Sequence, residues 1–216
     1  MNKHAKIVLQ NYISRGSWLS VSLWILLKAK KIFKSGFRIR SCNKDKKIDI
    51  LVPTISKDFE TLKLLIESLS FINHYINKIY IVSPTNNEIV QFCERNNIIH
   101  IDEIHAVGFS KKDINYVVNG VDRSGWLYQQ LIKLSCDNIT ELKDVLVMDS
   151  DTIFVNKNCF FSENKYLFYA SSEWHQPYFD TFKNIFGYAA PSRLSLTSHM
   201  MILNHEKLKE MKKELE

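Results

Sequence analysis

Hydrophobic residues in the chain alternate between short continuous runs and longer stretches with helical spacing. Apolar runs at 48–55, 78–84 and 98–103 end in polar or proline-containing turns, which is typical of buried strands. Between them lie stretches whose apolar residues recur three and four positions apart, which predicts amphipathic helices. The complete pattern predicts helices at 58–72, 87–97, 125–137 and 205–216, with further strands at 144–155, 165–172 and 198–204.

Strands that alternate with helices predict an α/β fold, with a mainly parallel sheet flanked by helices. Ligands bind such sheets beyond the carboxyl ends of the strands. Three predicted strands lead into Pro53-Thr54, Ser83-Pro84 and Asp149–Asp151. We therefore expect these turns to share one edge of the sheet.

Charge separates an N-terminal arm, residues 1–47, from a domain at 48–216. The arm carries a net charge of +11 and the domain −5, so the whole excess of +6 lies in the arm. An acidic domain argues against nucleic acid as a partner. The apolar run Trp18–Leu27 is about half of the ~20 residues that span a bilayer. A basic amphipathic helix on an anionic membrane surface and a helix packed on the domain are equally compatible with this arm.

The four cysteines are widely separated and form no C-x-x-C pair. Their spacing predicts neither a zinc site nor a disulfide framework, which favours a reducing compartment. We therefore expect a cytoplasmic protein, peripheral at the inner face of the cytoplasmic membrane if the arm binds lipid. The short segment after the sixth predicted strand leaves open that the domain is truncated at its C-terminus.

Asp149 and Asp151 follow the apolar run Val145–Met148. A single aspartate there would be ordinary turn chemistry. Two of them at alternate positions of a strand would repel each other on one face, and a cation would relieve that repulsion. Carboxylates at this position suit Mn²⁺ or Mg²⁺, with a phosphate-bearing substrate completing the coordination.

The D-x-D motif after several βα units resembles the glycosyltransferase-A fold. The stretch R-S-G-W-L-Y-Q-Q at 123–130, ahead of D-S-D-T, is similar to a bacterial group of this fold found among surface-polysaccharide genes. The resemblance implies a nucleotide-sugar as donor, a glycan or lipid-linked acceptor, and Mn²⁺ or Mg²⁺ held by Asp149 and Asp151. It implies nucleotide-sugar contacts from Thr54, Asp58, Ser83, Arg123, Gln130 and Ser150.

Two further residues are candidates for catalysis. The region around His199 distantly resembles the stretch of family-eight glycosyltransferases that lines the sugar pocket. This chain departs from their Asn-Ser/Ala-Gly pattern, because it has Ser198-His199-Met200 there. Glu173 follows a predicted strand in a loop with Trp174, and a carboxylate there would accept a hydroxyl proton. Each of these residues is equally an ordinary polar residue at a strand end.

The leading hypothesis is a metal-dependent glycosyltransferase of bacterial surface-polysaccharide synthesis. An inverting reaction needs a nearby carboxylate as base, for which Glu173 and Asp180 are the candidates. A non-catalytic or degenerate module that binds nucleotide-sugars or a membrane surface is the alternative, which the arm supports. A phosphatase of the haloacid-dehalogenase type is less well supported, because Ile153 stands where its D-x-D-x-[TV] strand has threonine or valine.

Overall fold

The computed structural model describes residues 42–171, 175–190, 195 and 197–215. The chain forms two compact units, and the larger holds the described residues of 42–167 and 199–215. The smaller holds the described residues of 168–198. Nearly all of the predicted arm lies outside the described residues, so the membrane helix and the boundary at 47/48 stay predictions. Within the described part of the chain, no helix is long and apolar enough to cross a membrane.

The described strands and helices alternate along most of the chain. The strands are β1 (Lys47–Pro53), β2 (Tyr75–Ser83), β3 (Ile99–Asp102), β4 (Val117–Val118), β5 (Val121–Asp122), β6 (Asp144–Met148), β7 (Phe161–Ser162), β8 (Lys165–Tyr166) and β9 (Met200–Asn204). The helices are α1 (Phe59–Ser68), α2 (Asn87–Arg95), α3 (Glu103–Val107), α4 (Ser124–Leu134), α5 (Cys136–Ile139), α6 (Gln176–Phe186) and α7 (His205–Leu215).

The larger unit is built on a five-stranded sheet in the order β3-β2-β1-β6-β9. Neighbouring strands are parallel except β6 and β9, which pair antiparallel at one edge. The predicted mainly parallel α/β architecture is confirmed. The smaller unit contains α6 and a bridge between Ser171 and Ser195.

The centre of the sheet is covered on both faces. Every residue of β6 and all but the first of β1 are buried, as parallel strands beneath helices require. On one face, α4 and α7 pack Tyr128, Ile132 and Leu208 against Leu51 and Val145. Residues of β1 alternate across the sheet, so Ile50 and Val52 face the opposite side. Burial on both faces fixes the strand ends, and so the position of any site beyond them.

A buried carboxylate fixes the register of the two central strands. Ile48 pairs with Ile76 and Ile50 with Ile79, so Asp49 alone opposes both Asn77 and Lys78 in a β-bulge. Asp49 is fully buried. Its Oδ1 accepts hydrogen bonds from Asn77 Nδ2 at 2.9 Å and from Lys78 N at 3.2 Å. Its Oδ2 accepts from the backbone amides of Glu141 and Leu142 at 3.0 and 2.8 Å, which fixes the entry to β6.

Two of the predicted strands are less than half as long in the structure as predicted. The strand predicted at 144–155 ends at Met148, so the two aspartates lie in the following turn. The strand predicted at 165–172 forms only β8, which pairs with β7 in a separate hairpin. Glu163 has φ 54° at this hairpin's turn. The aromatic run at 166–169 therefore does not join the central sheet.

The structure pairs two of the four cysteines, which corrects the expectation of unpaired thiols. Cys42 and Cys159 form a disulfide across a sequence separation of 117, whereas Cys93 and Cys136 are free and buried. Burial raises the pKa of Cys93 to about 11 and that of Cys136 to about 12. Sequence spacing could not reveal this pair, because folding alone brings the two residues together. The cytoplasmic location stays a prediction, without the support that unpaired cysteines gave it.

We expect Cys159→Ser to lower the free energy of unfolding by about 2–4 kcal/mol, because the unfolded chain has more conformational entropy without the disulfide cross-link. Urea denaturation of the oxidised protein and of the variant measures the difference. Reductant should destabilise the parent protein by a similar amount and leave the variant unchanged. Thiol alkylation in denaturant provides the control: two cysteines should react before reduction and four afterwards. Four reactive thiols before reduction would contradict the pairing.

Candidate functional site

The polar turns predicted to share one edge of the sheet do so. Thr54 follows β1, Ser83 ends β2 and Asp149 follows β6, and these three strands are parallel neighbours. The backbone amide of Thr54 donates to the carbonyl of Val82 at 2.9 Å, which ties the first two of these turns together. A site at this edge is therefore built on strands whose ends the core holds fixed.

Asp149, Asp151 and His199 form a cluster at this edge. His199 precedes β9, whose antiparallel pairing with β6 brings Met200 opposite Met148. The Asp149 amide donates to the His199 carbonyl at 2.8 Å and extends that pairing by one step. One ligand atom from each of the three side chains lies within 4.8 Å of the other two. The cluster thus unites the predicted metal ligands with the predicted catalytic histidine.

The Asp149 carboxylate already has several partners. Its Oδ1 accepts from Lys133 Nζ at 2.5 Å and from Gln129 Nε2 at 3.4 Å. Its Oδ2 lies 3.1 Å from His199 Nδ1. Lys133 is largely buried, with 13% of its side chain exposed, whereas His199 is 75% exposed. Asp149 is therefore held firmly on its Oδ1 side and loosely on its Oδ2 side.

Sequence reasoning did not assign Gln129 and Lys133 to the carboxylate. Both lie on α4, which precedes β6 in the chain and packs beside it. Their i, i+4 spacing, which places them on one face of the helix, was the available signal.

Two carboxylates and an imidazole match the ligands that Mn²⁺ accepts, and the carboxylates also suit Mg²⁺. Asp149 Oδ2 and His199 Nδ1 lie 3.1 Å apart, which is a hydrogen-bond distance, so the two side chains converge on one point at the sheet edge. Asp151 is exposed and, within the described part of the chain, its side chain makes no hydrogen bond. These residues fit a divalent cation. The two aspartates lie in a turn and not on a strand, but a carboxylate oxygen of each still lies within 4.8 Å of the other, so the like charges remain close.

Thr54 and Ser83 are buried at the sheet edge, with 5% and 0% exposed. The Ser83 hydroxyl donates to the Pro84 carbonyl at 3.0 Å, which leaves its oxygen to accept from His100 Nε2, also at 3.0 Å. Burial lowers the pKa of His100, so this histidine is neutral at pH 7. Asp58 is half-buried before α1 and makes no side-chain cap to that helix. A nucleotide role for these residues stays a prediction.

The residues predicted around the diphosphate differ in exposure. Arg123 is exposed at the start of α4, with its guanidinium 5.7 Å from the centre of the Trp126 ring. Ser150 is buried between the two aspartates, and Gln130 is half-buried on α4. Arg123 therefore has an accessible cationic group, whereas Ser150 is closed off from solvent.

Glu173 and its neighbour Trp174 lie outside the described residues, so the predicted role of Glu173 as a base stays a prediction. Asp180, a second candidate base, lies on α6 in the smaller unit and accepts a hydrogen bond from Gln176 at 2.8 Å.

A second cluster, Cys42, His74 and Cys159, also has the residue types of a metal site. Its histidine, however, is fully used within the protein. Phe160 N donates to His74 Nε2 at 2.7 Å, so Nε2 has no proton and Nδ1–H donates to the Asn43 carbonyl at 2.8 Å. Burial lowers the pKa of His74 and favours this neutral form. A metal on Nε2 would have to displace an amide, so these contacts favour the disulfide.

Comparisons with known proteins provide a family and several solved structures that are similar to part of this chain. A search of the curated proteins finds no match. Glucosyl-3-phosphoglycerate synthase from Mycobacterium tuberculosis, solved with Mn²⁺, UDP and phosphoglyceric acid, is similar over 52% of this chain and 35% of its own, with 12% identity and a TM-score of 0.34. S. aureus TarS matches over 52% of this chain and 18% of its own, with 18% identity and a TM-score of 0.34.

The apo glycosyltransferase GlyE from Streptococcus pneumoniae is similar over 79% of this chain and 37% of its own, with 12% identity and a TM-score of 0.42. This chain therefore covers at most 37% of the length of any of these three proteins. Likeness at this level carries over neither an activity nor a ligand. The model of a family of unknown function, DUF6492, matches residues 45–216. That match covers well over half of the chain, and the protein therefore belongs to the DUF6492 family.

Proposed function

We propose that this protein is a metal-dependent glycosyltransferase that moves a sugar from a nucleotide-sugar to a glycan or lipid-linked acceptor. The observation that carries the proposal is the meeting of Asp149, Asp151 and His199 within 4.8 Å at the carboxyl edge of a mainly parallel sheet. Open α/β sheets bind ligands at this edge. The resemblance of the D-x-D motif to that of glycosyltransferases supports a nucleotide-sugar as the substrate.

Asp149 and Asp151 would hold the cation, with His199 as a third ligand or a contact to the sugar. When bound, the cation would neutralise charge that develops on the leaving nucleoside diphosphate. Arg123 would bind a phosphate oxygen, because its guanidinium is exposed and presents paired donors. An acceptor hydroxyl would attack the anomeric carbon as the bond to the diphosphate breaks. Glu173 and Asp180 remain the candidates for its base.

We further propose that the acceptor is built at the inner face of the cytoplasmic membrane, in surface-polysaccharide synthesis. The support is the charge of the arm, +11 in residues 1–47, together with its apolar run Trp18–Leu27. Anionic headgroups would hold the arm close to a lipid-linked acceptor.

A thermal-shift screen tests the proposal. We expect one nucleoside diphosphate, or its sugar conjugate, to raise the melting temperature in the presence of Mn²⁺, because a ligand bound only by the folded state stabilises it. The screen uses UDP, GDP, ADP, CDP and dTDP with their common sugars, each with Mn²⁺ and with EDTA. The shift should disappear with EDTA and in Asp151→Asn.

The possible outcomes separate the rival functions. Absence of any shift, together with binding to anionic liposomes, would favour a membrane-surface module. A shift without hydrolysis or transfer of the sugar would favour a degenerate binding protein. An aspartyl-phosphate formed from a phosphate ester would favour the phosphatase.

A further inference from the structure

Lys133 places a positive charge inside the candidate cation site. Its ammonium lies 2.5 Å from Asp149 Oδ1 and its side chain is 13% exposed, so α4 holds the charge in place. His199 Nδ1, by contrast, contacts Asp149 Oδ2 from an exposed side chain. A cation would thus meet Asp149 on its Oδ2 side, with Lys133 still on the other oxygen.

Lys133 reduces the negative charge that this site offers to a bare divalent cation. Asp149 and Asp151 contribute two negative charges and Lys133 one positive charge, which leaves these three side chains with a net charge of −1. A divalent ion would meet an ammonium within a few ångströms, and like charges this close repel strongly outside bulk water. A bound divalent cation would bring the net charge of these groups from −1 to +1, and the negative charges of a diphosphate would offset that positive charge.

We propose that Lys133 weakens binding of a bare divalent cation and so makes the cation depend on an anionic diphosphate bound beside it. Lys133 is thus a positioning and charge-balancing residue for Asp149. Binding free energies are reciprocal, so the cation and the diphosphate must raise each other's affinity by the same factor. The inference rests on the proposed function only in requiring the cation site.

Calorimetric titration of Mn²⁺ alone into the full-length protein and its variants tests this role. Lys133→Gln removes the charge and keeps a hydrogen-bond donor, and Lys133→Met removes both. We expect each to bind Mn²⁺ alone roughly tenfold more tightly than the parent protein, because a repelling charge is gone. We also expect the added gain in Mn²⁺ affinity from UDP or GDP to shrink in both variants.

Two control variants separate charge at the site from the general loss of an ion pair. Lys133→Arg retains the charge and should bind Mn²⁺ as the parent does. Lys212→Met removes a comparable pair, since Lys212 Nζ lies 2.6 Å from the buried Asp137, and should also leave Mn²⁺ affinity unchanged. Thermal unfolding shows whether each variant is folded. If Lys133→Met does not fold, Lys133→Gln alone still tests the role of the charge.

Failure of this inference differs from failure of the proposed function. If the parent binds Mn²⁺ with a nucleoside diphosphate and Asp151→Asn does not, the cation site stands. An unchanged Mn²⁺ affinity in Lys133→Gln and Lys133→Met would then overturn the role of Lys133 alone. If neither the parent nor the Lys133 variants bind Mn²⁺ under any condition, both proposals are wrong.

Discussion

Asp149→Asn and Asp151→Asn are each expected to lower metal-dependent turnover of the nucleotide-sugar by about a hundredfold or more. Asparagine keeps the shape of the side chain but removes an anionic ligand from the cation. Asp151→Asn is the cleaner change, because Asp151 is exposed and makes no side-chain hydrogen bond within the described residues. Asp149→Asn also deprives Lys133 of its carboxylate partner.

Turnover is measured as sugar release or transfer, with Mn²⁺ varied at each nucleotide-sugar concentration. The matched control is Glu210→Gln, which removes an exposed carboxylate on α7 and should leave turnover unchanged. Full metal-dependent turnover in both aspartate variants would rule out the D-x-D motif as the cation site. Unchanged turnover in Asp151→Asn alone would restrict the essential ligand to Asp149.

The general plan of the sheet was predictable because burial leaves a strong signal in sequence. Strands covered on both faces read as continuous apolar runs, as Val145–Met148 does. Helices between them showed the expected spacing. The antiparallel direction of β9 left no such signal, since strand direction depends on how the chain returns to the sheet. His199 reaches Asp149 only because of that direction.

The residues that support the candidate site were harder to predict, because their partners are distant in sequence. Lys133 and Gln129 look like ordinary polar residues of an amphipathic helix until α4 packs beside β6. Cys42 and Cys159 form a pair only in the folded chain. In each case the sequence shows the residue types, whereas tertiary packing decides which of them come into contact.

Asp49 is the clearest case of chemistry hidden in an apolar run. It lies between two isoleucines in a strand that hydrophobicity alone predicts correctly, yet it is fully buried. An unpaired buried carboxylate would be strongly unfavourable, so its presence requires partners. The bulge in β2 and the loop before β6 provide four hydrogen-bond donors, three of them backbone amides. Asp49 thus ties β2 and the loop before β6 to the central strand β1.

We expect Asp49→Ala to lower the free energy of unfolding by about 3–5 kcal/mol, because it leaves the partly buried amide hydrogen bonds of Lys78, Glu141 and Leu142 without their acceptor. Asp49→Asn should cost less, about 2 kcal/mol, because its single carbonyl oxygen still accepts from part of this set. Urea denaturation measures both variants, with the disulfide kept oxidised.

Asp45→Ala is the matched control, since Asp45 is an exposed aspartate near the start of the same strand. It should change the free energy of unfolding by no more than about 0.5 kcal/mol. A loss below about 1 kcal/mol in Asp49→Ala would mean that water or neighbouring groups satisfy these amides. Asp49 would then not fix the register of β1 and β2. A large loss would instead mean that the stability of the sheet depends on one buried carboxylate. That carboxylate lies towards the amino end of β1, whereas the candidate site lies beyond the carboxyl end of the same strand, so the position of the site would depend on it too.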